Sequence, residues 1–132
     1  IATASPAYPH DLVAKVRKAA SIKGFKYIHI LTPCPPGWRF DPSLTVRVAR
    51  LAVLTGFWPL LEVERGVLRL TGPSAKLLDP RRRAPLKEYL RLQGRYAHLS
   101  DKDYEELQRL VDEKWRELVR LVGQGKKEVD ER

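Results

Sequence analysis

The chain has 132 residues, enough for one domain, and 25 Lys and Arg against 16 Asp and Glu give it a net charge of +9. Its 43% hydrophobic content excludes wholesale disorder, and no apolar run reaches the roughly 20 residues of a membrane span. A single cysteine excludes an internal disulfide and any self-contained structural zinc or iron–sulfur site, which takes about four ligands.

The first segment, Ile1 to Ala4, reads as the end of a strand that Ser5-Pro6 breaks. The periodicity predicts a helix from Pro9 to Ile22, with Leu12, Val16, Ala19 and Ala20 on its apolar face and Lys15, Arg17 and Lys18 pointing away. Phe25 to Leu31 is aromatic and β-branched and reads as a buried strand. This strand–helix–strand order with short connections suggests a parallel sheet with a right-handed crossover.

Next comes Thr32-Pro33-Cys34-Pro35-Pro36-Gly37-Trp38, where three prolines remove backbone donors and Gly37 permits a sharp turn. The stretch is expected to be neither helix nor strand. It follows the carboxyl end of a strand, where open α/β sheets bind ligands.

Asp41-Pro42 opens a helix, Asp as cap and Pro at its first position, which continues until Gly56. Trp58–Glu64 and Val67–Thr71 form a hairpin around Arg65-Gly66. Residues 72–83 read as loop, Pro85–Gln93 as a short helix, and Ser100 with Asp103 opens a long helix to Val122. Tyr104, Leu107, Val111, Leu118 and Leu121 form its apolar stripe, and the charged end from Gln124 to Arg132 is expected to fray. With no strand to pack on, Leu107, Val111, Trp115 and Leu118 are expected to stay exposed and to cover another subunit.

Net charge is +4 over residues 1–64, +7 over 65–95 and −2 over 96–132, so the middle third is a basic belt. A solvated surface, a contact for an acidic partner and nucleic-acid binding all remain open for it, although no helix-turn-helix, zinc or RNP-like pattern supports the last. His10, His29 and His98 lie far apart without metal-ligand spacing. Cys34 has three readings: a small buried hydrophobe, a nucleophile, or one ligand of a metal cluster. No base is local to it, since His29 lies five residues back in the strand. Of the tryptophans, Trp58 reads as core, Trp38 as a neighbour of Cys34, and Trp115 as a residue buried against another surface.

Met and Asn are absent, and residue 1 opens into apolar sequence with no signal-peptide pattern. The chain therefore reads as the C-terminal part of something longer, and depletion of thermolabile residue types fits a thermophilic source.

Several stretches together resemble the β subunits of pyruvate and related 2-oxoacid:ferredoxin oxidoreductases. They are Ala4-Ser5-Pro6-Ala7-Tyr8-Pro9, the run from Tyr27 to Trp38 with its Pro-Cys-Pro-Pro-Gly-Trp, Ala49–Val53 with Thr55-Gly56, Trp58-Pro59-Leu60, Pro85–Leu90 and Leu92–Arg95. The resemblance implies an α/β fold, the C-terminal part of a thiamin-diphosphate-binding fold with parallel strands over residues 1–71, followed by an extended arm over 72–132 ending in the long helix. It implies that Cys34, in a loop with Pro33, Pro35, Gly37 and Trp38, is the fourth ligand of a proximal 4Fe–4S cluster. The other three cysteines and a Gly-Asp-Gly motif for thiamin diphosphate and Mg²⁺ are expected upstream. The implied reaction is oxidative decarboxylation of a 2-oxoacid to acyl-CoA and CO₂ in a cytoplasmic multi-subunit enzyme, with electrons passed to ferredoxin. The implied partners are the other subunits, ferredoxin, the 2-oxoacid and coenzyme A, with no membrane and no nucleic acid. The segment alone is expected to be inactive and to hold no catalytic residue. A small basic interaction domain, able to bind nucleic acid, is the alternative.

Overall fold

The computed structural model describes residues 1–130, with side chains described as far as Gly123; Glu131 and Arg132 lie outside the described residues. Four strands, β1 (Ala2–Ala4), β2 (Ile28–Ile30), β3 (Leu61–Glu64) and β4 (Val67–Leu70), form one sheet in the order β2-β1-β3-β4. Helix α1 (Pro9–Ser21) joins β1 to β2, and Ala2, Thr3 and Ala4 pair in parallel with Ile28, His29 and Ile30. The expected parallel sheet holds for that pair only. Strand β3 runs antiparallel to β1, with Ala2 opposite Glu62, and antiparallel to β4, so the sheet is mixed.

The β3–β4 hairpin closes where expected. Arg65 (φ 49°) and Gly66 (φ 82°) both take the left-handed region that a two-residue type I′ turn requires, and Glu64 pairs with Val67 across it. Strand β2, by contrast, is shorter than Phe25–Leu31 and is not buried. It is an edge strand with a partner on one side only, and Phe25 is 91% exposed. Aromatic and β-branched composition marked it as a strand without revealing that its outer flank is open.

Helix α1 presents only part of the expected face inward: Leu12 and Ala19 are half-buried, but Ala20 is exposed. Val16 is exposed, whereas Lys15 is 3% exposed, its ammonium donating to Asp11 Oδ2 (2.6 Å), the Thr71 hydroxyl (2.7 Å) and the Thr3 carbonyl (2.8 Å). All three donors are satisfied, so one lysine ties α1, β1 and the end of β4 together at little desolvation cost. One turn on, Lys18 reaches Glu62 (2.6 Å) and Glu64 (2.9 Å) on β3. The helix thus docks on the sheet partly through amine–carboxylate contacts that periodicity assigned to solvent.

Helix α2 (Pro35–Trp38) is a single turn, followed by a 3₁₀ turn (Pro42–Leu44) capped by Asp41, which accepts from the Ser43 N–H at 2.8 Å. Helix α3 (Thr45–Leu54) then carries the buried face Val48, Ala49, Ala52 and Val53. The expected loop 72–83 consists largely of 3₁₀ turns (Gly72–Leu78 and Pro80–Arg82), and helix α4 spans Leu86–Arg91. A last 3₁₀ turn, Gly94–Tyr96, precedes helix α5 (Asp101–Asp130). Ser100 and Asp103 cap α5 reciprocally: the Ser100 N–H donates to Asp103 Oδ2 (2.8 Å) and the Asp103 N–H to the Ser100 hydroxyl (3.3 Å). The helix continues past the expected end at Val122.

The core gathers Val48 and Ala52 from α3, Leu77, then Leu86, Tyr89 and Leu90 from α4, and Tyr104, Val111 and Trp115 from α5. Trp115 is 1% exposed and Val111 8%, with Leu107 and Leu118 packed at the margin. The expectation that this stripe stays open for another subunit is therefore overturned. The sequence offered α5 no strand to pack on, but in the fold it lies against β4 and α4, and Trp115 joins one core with Val48 and Ala52 of α3 and with Leu77. Trp115 fits because Gly56 (φ 78°) lacks a side chain: a Cβ there would stand 2.3 Å from the indole Nε1, which donates to the Gly56 carbonyl at 2.8 Å.

Candidate functional site

The Cys34 loop begins where β2 ends. The Leu31 N–H donates to the Ala4 carbonyl at 3.0 Å, so the ends of the two parallel strands stay joined as the chain turns into Pro33. Cys34 itself is extended (φ −112°, ψ 100°) and caps α2. Its carbonyl accepts from the Trp38 N–H at 2.8 Å. The prolines expected to forbid a helix here instead start one: Pro35 and Pro36 occupy the first two positions, where a helix has no use for their missing N–H groups. The turn stops at Arg39, which adopts a left-handed conformation (φ 56°) and donates its N–H to the Pro35 carbonyl.

The thiol is free, and within this chain it is exposed. Its Sγ folds back over Gly37, where an added Cβ would lie 3.2 Å away. His29 offers no base to it, because its ring meets Trp58 edge-on at 4.7 Å. A shallow groove lined by Pro6, Thr32, Pro33, Val46, Ala49 and Arg50 runs beside the loop at the carboxyl ends of β1 and β2.

The far wall of the turn comes from sequence almost sixty residues downstream. The Gly94 N–H donates to the Arg39 carbonyl at 2.8 Å, and a Cβ on Gly94 would collide with that oxygen at 2.8 Å. The Arg95 guanidinium then lies 3.9 Å over the Trp38 ring. Sequence reasoning placed Leu92–Arg95 among the family-like stretches without a role for them. Their link to Cys34 is a tertiary contact that no local spacing encodes.

No family model matches the chain. Among characterised proteins, the pyruvate synthase subunit PorB of Methanocaldococcus jannaschii is 46% identical over 114 residues, covering 86% of this chain and 36% of that protein. The ketoisovalerate oxidoreductase subunit VorB of Pyrococcus furiosus is 41% identical over 121 residues, covering 92% of the chain and 38% of the protein. PorB of Thermotoga maritima is 40% identical over 125 residues, covering 91% and 37%. The chain belongs to the β-subunit family of 2-oxoacid:ferredoxin oxidoreductases. It spans less than two-fifths of the length of these relatives.

Within this β-subunit segment the basic belt is largely paired internally. Arg81 makes two bonds of 3.0 Å to Asp79, whose carboxyl is thereby held below its ordinary value, and Lys87 pairs with Asp101 at 2.5 Å. Arg83, expected at the surface, has a side chain only 9% exposed, stacked 5.1 Å over Trp115 and 3.2 Å from Asp112. It is part of the core wall. Among the described residues no three His, Cys, Asp or Glu side chains converge on a metal position, and no helix is long and apolar enough to cross a membrane. The donor set here fits one corner of a thiolate cluster: one exposed sulfur on a restrained turn, with room above Gly37.

Proposed function

We propose that this chain supplies one ligand, Cys34, to a 4Fe–4S cluster in the β subunit of a 2-oxoacid:ferredoxin oxidoreductase. On this reading, residues 1–71 form part of the thiamin-diphosphate-binding fold and residues 72–132 an arm packed across it. Three further cysteines and the site for thiamin diphosphate and Mg²⁺ belong to the remainder of the subunit. The net reaction converts a 2-oxoacid and coenzyme A to acyl-CoA and CO₂, and two electrons leave for ferredoxin. The relatives' names include both pyruvate and ketoisovalerate, so the proposal is for the 2-oxoacid class.

The observation that carries it is the exposed Cys34 thiol on a proline-restrained turn, in a chain up to 47% identical to named subunits of such enzymes. When bound, a cluster of this type accepts and passes single electrons at a potential set by its charge, hydrogen bonds and exposure. This chain's share is to hold the sulfur. Pro33, Pro35 and Pro36 restrict the backbone before binding, which lowers the ordering cost. Gly37 leaves the space that a side chain would take from Sγ, and the Trp38 N–H closes the turn onto the Cys34 carbonyl.

The test is iron content and the reduced-cluster EPR signal of the full subunit, wild type against Cys34→Ser. Loss of iron or a changed signal is expected, because an alkoxide oxygen is a harder and poorer ligand than thiolate. Unchanged iron and signal would make Cys34 a surface residue.

A further inference from the structure

A second charge besides Arg39, the cap of the Cys34 turn, lies against that turn: Arg95. Its Nε donates to Gln93 Oε1 at 2.9 Å, and Gln93, 1% exposed, is itself anchored by donating from Nε2 to the Tyr89 carbonyl at 2.9 Å. The guanidinium is thus held in one orientation between two rings, 3.9 Å from the centre of Trp38 and 4.7 Å from that of Tyr96. Among the described residues no carboxylate pairs with it, in contrast to Arg81, Arg83 and Arg91, which pair with one each, and Arg109, which pairs with two. Cys34 caps and Trp38 closes the same single turn, so a fixed, unneutralised cation rests on the opposite end of the turn that presents the thiol.

We infer that Arg95, clamped by Gln93 and stacked on Trp38, is a positioning residue whose fixed positive charge raises the reduction potential of the group bound at Cys34. The inference rests on the proposed cluster ligation. A thiolate cluster gains one negative charge on reduction, and a nearby half-buried cation favours that state, since such a charge is poorly screened by salt. The Gly94 contact with Arg39 keeps the two segments in register, and the absence of a Cβ at Gly94 lets them touch.

The experiment is a redox titration of the full subunit, followed by EPR, for wild type, Arg95→Gln, Arg95→Met and Arg95→Lys, with iron measured in each. The two neutral variants should shift the one-electron equilibrium about tenfold toward the oxidised state, about 59 mV downward. Arg95→Lys keeps the charge while losing the flat stack, and should recover most of the shift. Loss of iron in both neutral variants with retention in Arg95→Lys also supports a charge effect. Full iron with an unchanged potential in Arg95→Gln and Arg95→Met overturns the inference, as does equal loss of iron in all three. Should the Arg95 variants do nothing while Cys34→Ser empties the site, only the role of Arg95 falls. Iron and potential indifferent to Cys34→Ser would remove the ligand reading and this inference together.

Discussion

Replacing Gly56 by Ala should destabilise the fold severely. The position needs φ 78°, which costs an L-residue about 1–2 kcal/mol relative to glycine. The new Cβ would stand 2.3 Å from Trp115 Nε1 and 2.9 Å from its Cε2, so the indole must withdraw. Withdrawal breaks the 2.8 Å bond to the Gly56 carbonyl and leaves a buried acceptor unpaired, for about 1–3 kcal/mol more. Arg83, stacked on the same ring, moves with it. The two terms sum to about 2–5 kcal/mol, with ~3 kcal/mol as a middle value, a large part of the ~5–15 kcal/mol that holds a typical domain together. Urea unfolding followed by tryptophan emission should therefore show a midpoint lower by about 1–3 M, using a slope of about 1–3 kcal/mol per M. Trp115→Phe alone should cost less, and in the double variant the penalty of Gly56→Ala should shrink because the clashing indole edge is gone. A Gly56→Ala midpoint within experimental error of wild type would refute the claimed fit between helix α5 and this turn.

Lys15→Ala should lower stability by about 2–4 kcal/mol, because it strips the cation from a nearly buried Asp11 and from Thr71; chemical denaturation measures it, and an effect below about 0.5 kcal/mol would return Lys15 to the surface role. Glu64 should titrate in the folded protein below its ordinary value of 4.5, held down first by its hydrogen bond from Lys18 and then by that residue's charge. Its depressed value means that the contribution is complete above pH 4.5 and fades as pH falls through the folded value; NMR titration should see most of the depression lost in Lys18→Met, with the smaller pull of Arg65 and Arg69 remaining.

Elements built from local signals were legible in the sequence. The Arg65-Gly66 turn, the Asp41 cap and the Ser100–Asp103 box each depend on residues within a few positions of one another, and each forms as expected. Helix α1 was placed correctly and its face only in part, because periodicity counts a lysine as polar whatever its three donors find. The irregular reading of Thr32–Trp38 failed for a related reason: proline opposes a helix interior and favours its first turn. At the candidate site, Cys34 stood out as the lone thiol between prolines, whereas Gln93, Gly94 and Arg95 gain their meaning only from contacts with Arg39 and Trp38. The burial of Trp115 was invisible for the same reason, since the core around it is assembled from β4, α3 and α4.

The seating of Trp115 beneath Gly56 spans 59 residues of chain, and it has a consequence for the order in which the molecule matures. As the polypeptide leaves the ribosome, the sheet and helix α3 emerge while the hollow they surround still lacks its largest side chain. Until α5 has been made, that hollow is open to water and to other nascent chains, the condition under which partly folded species aggregate. Closure awaits a long-range contact whose loop entropy must be met first, so this fold is expected to complete slowly for its size.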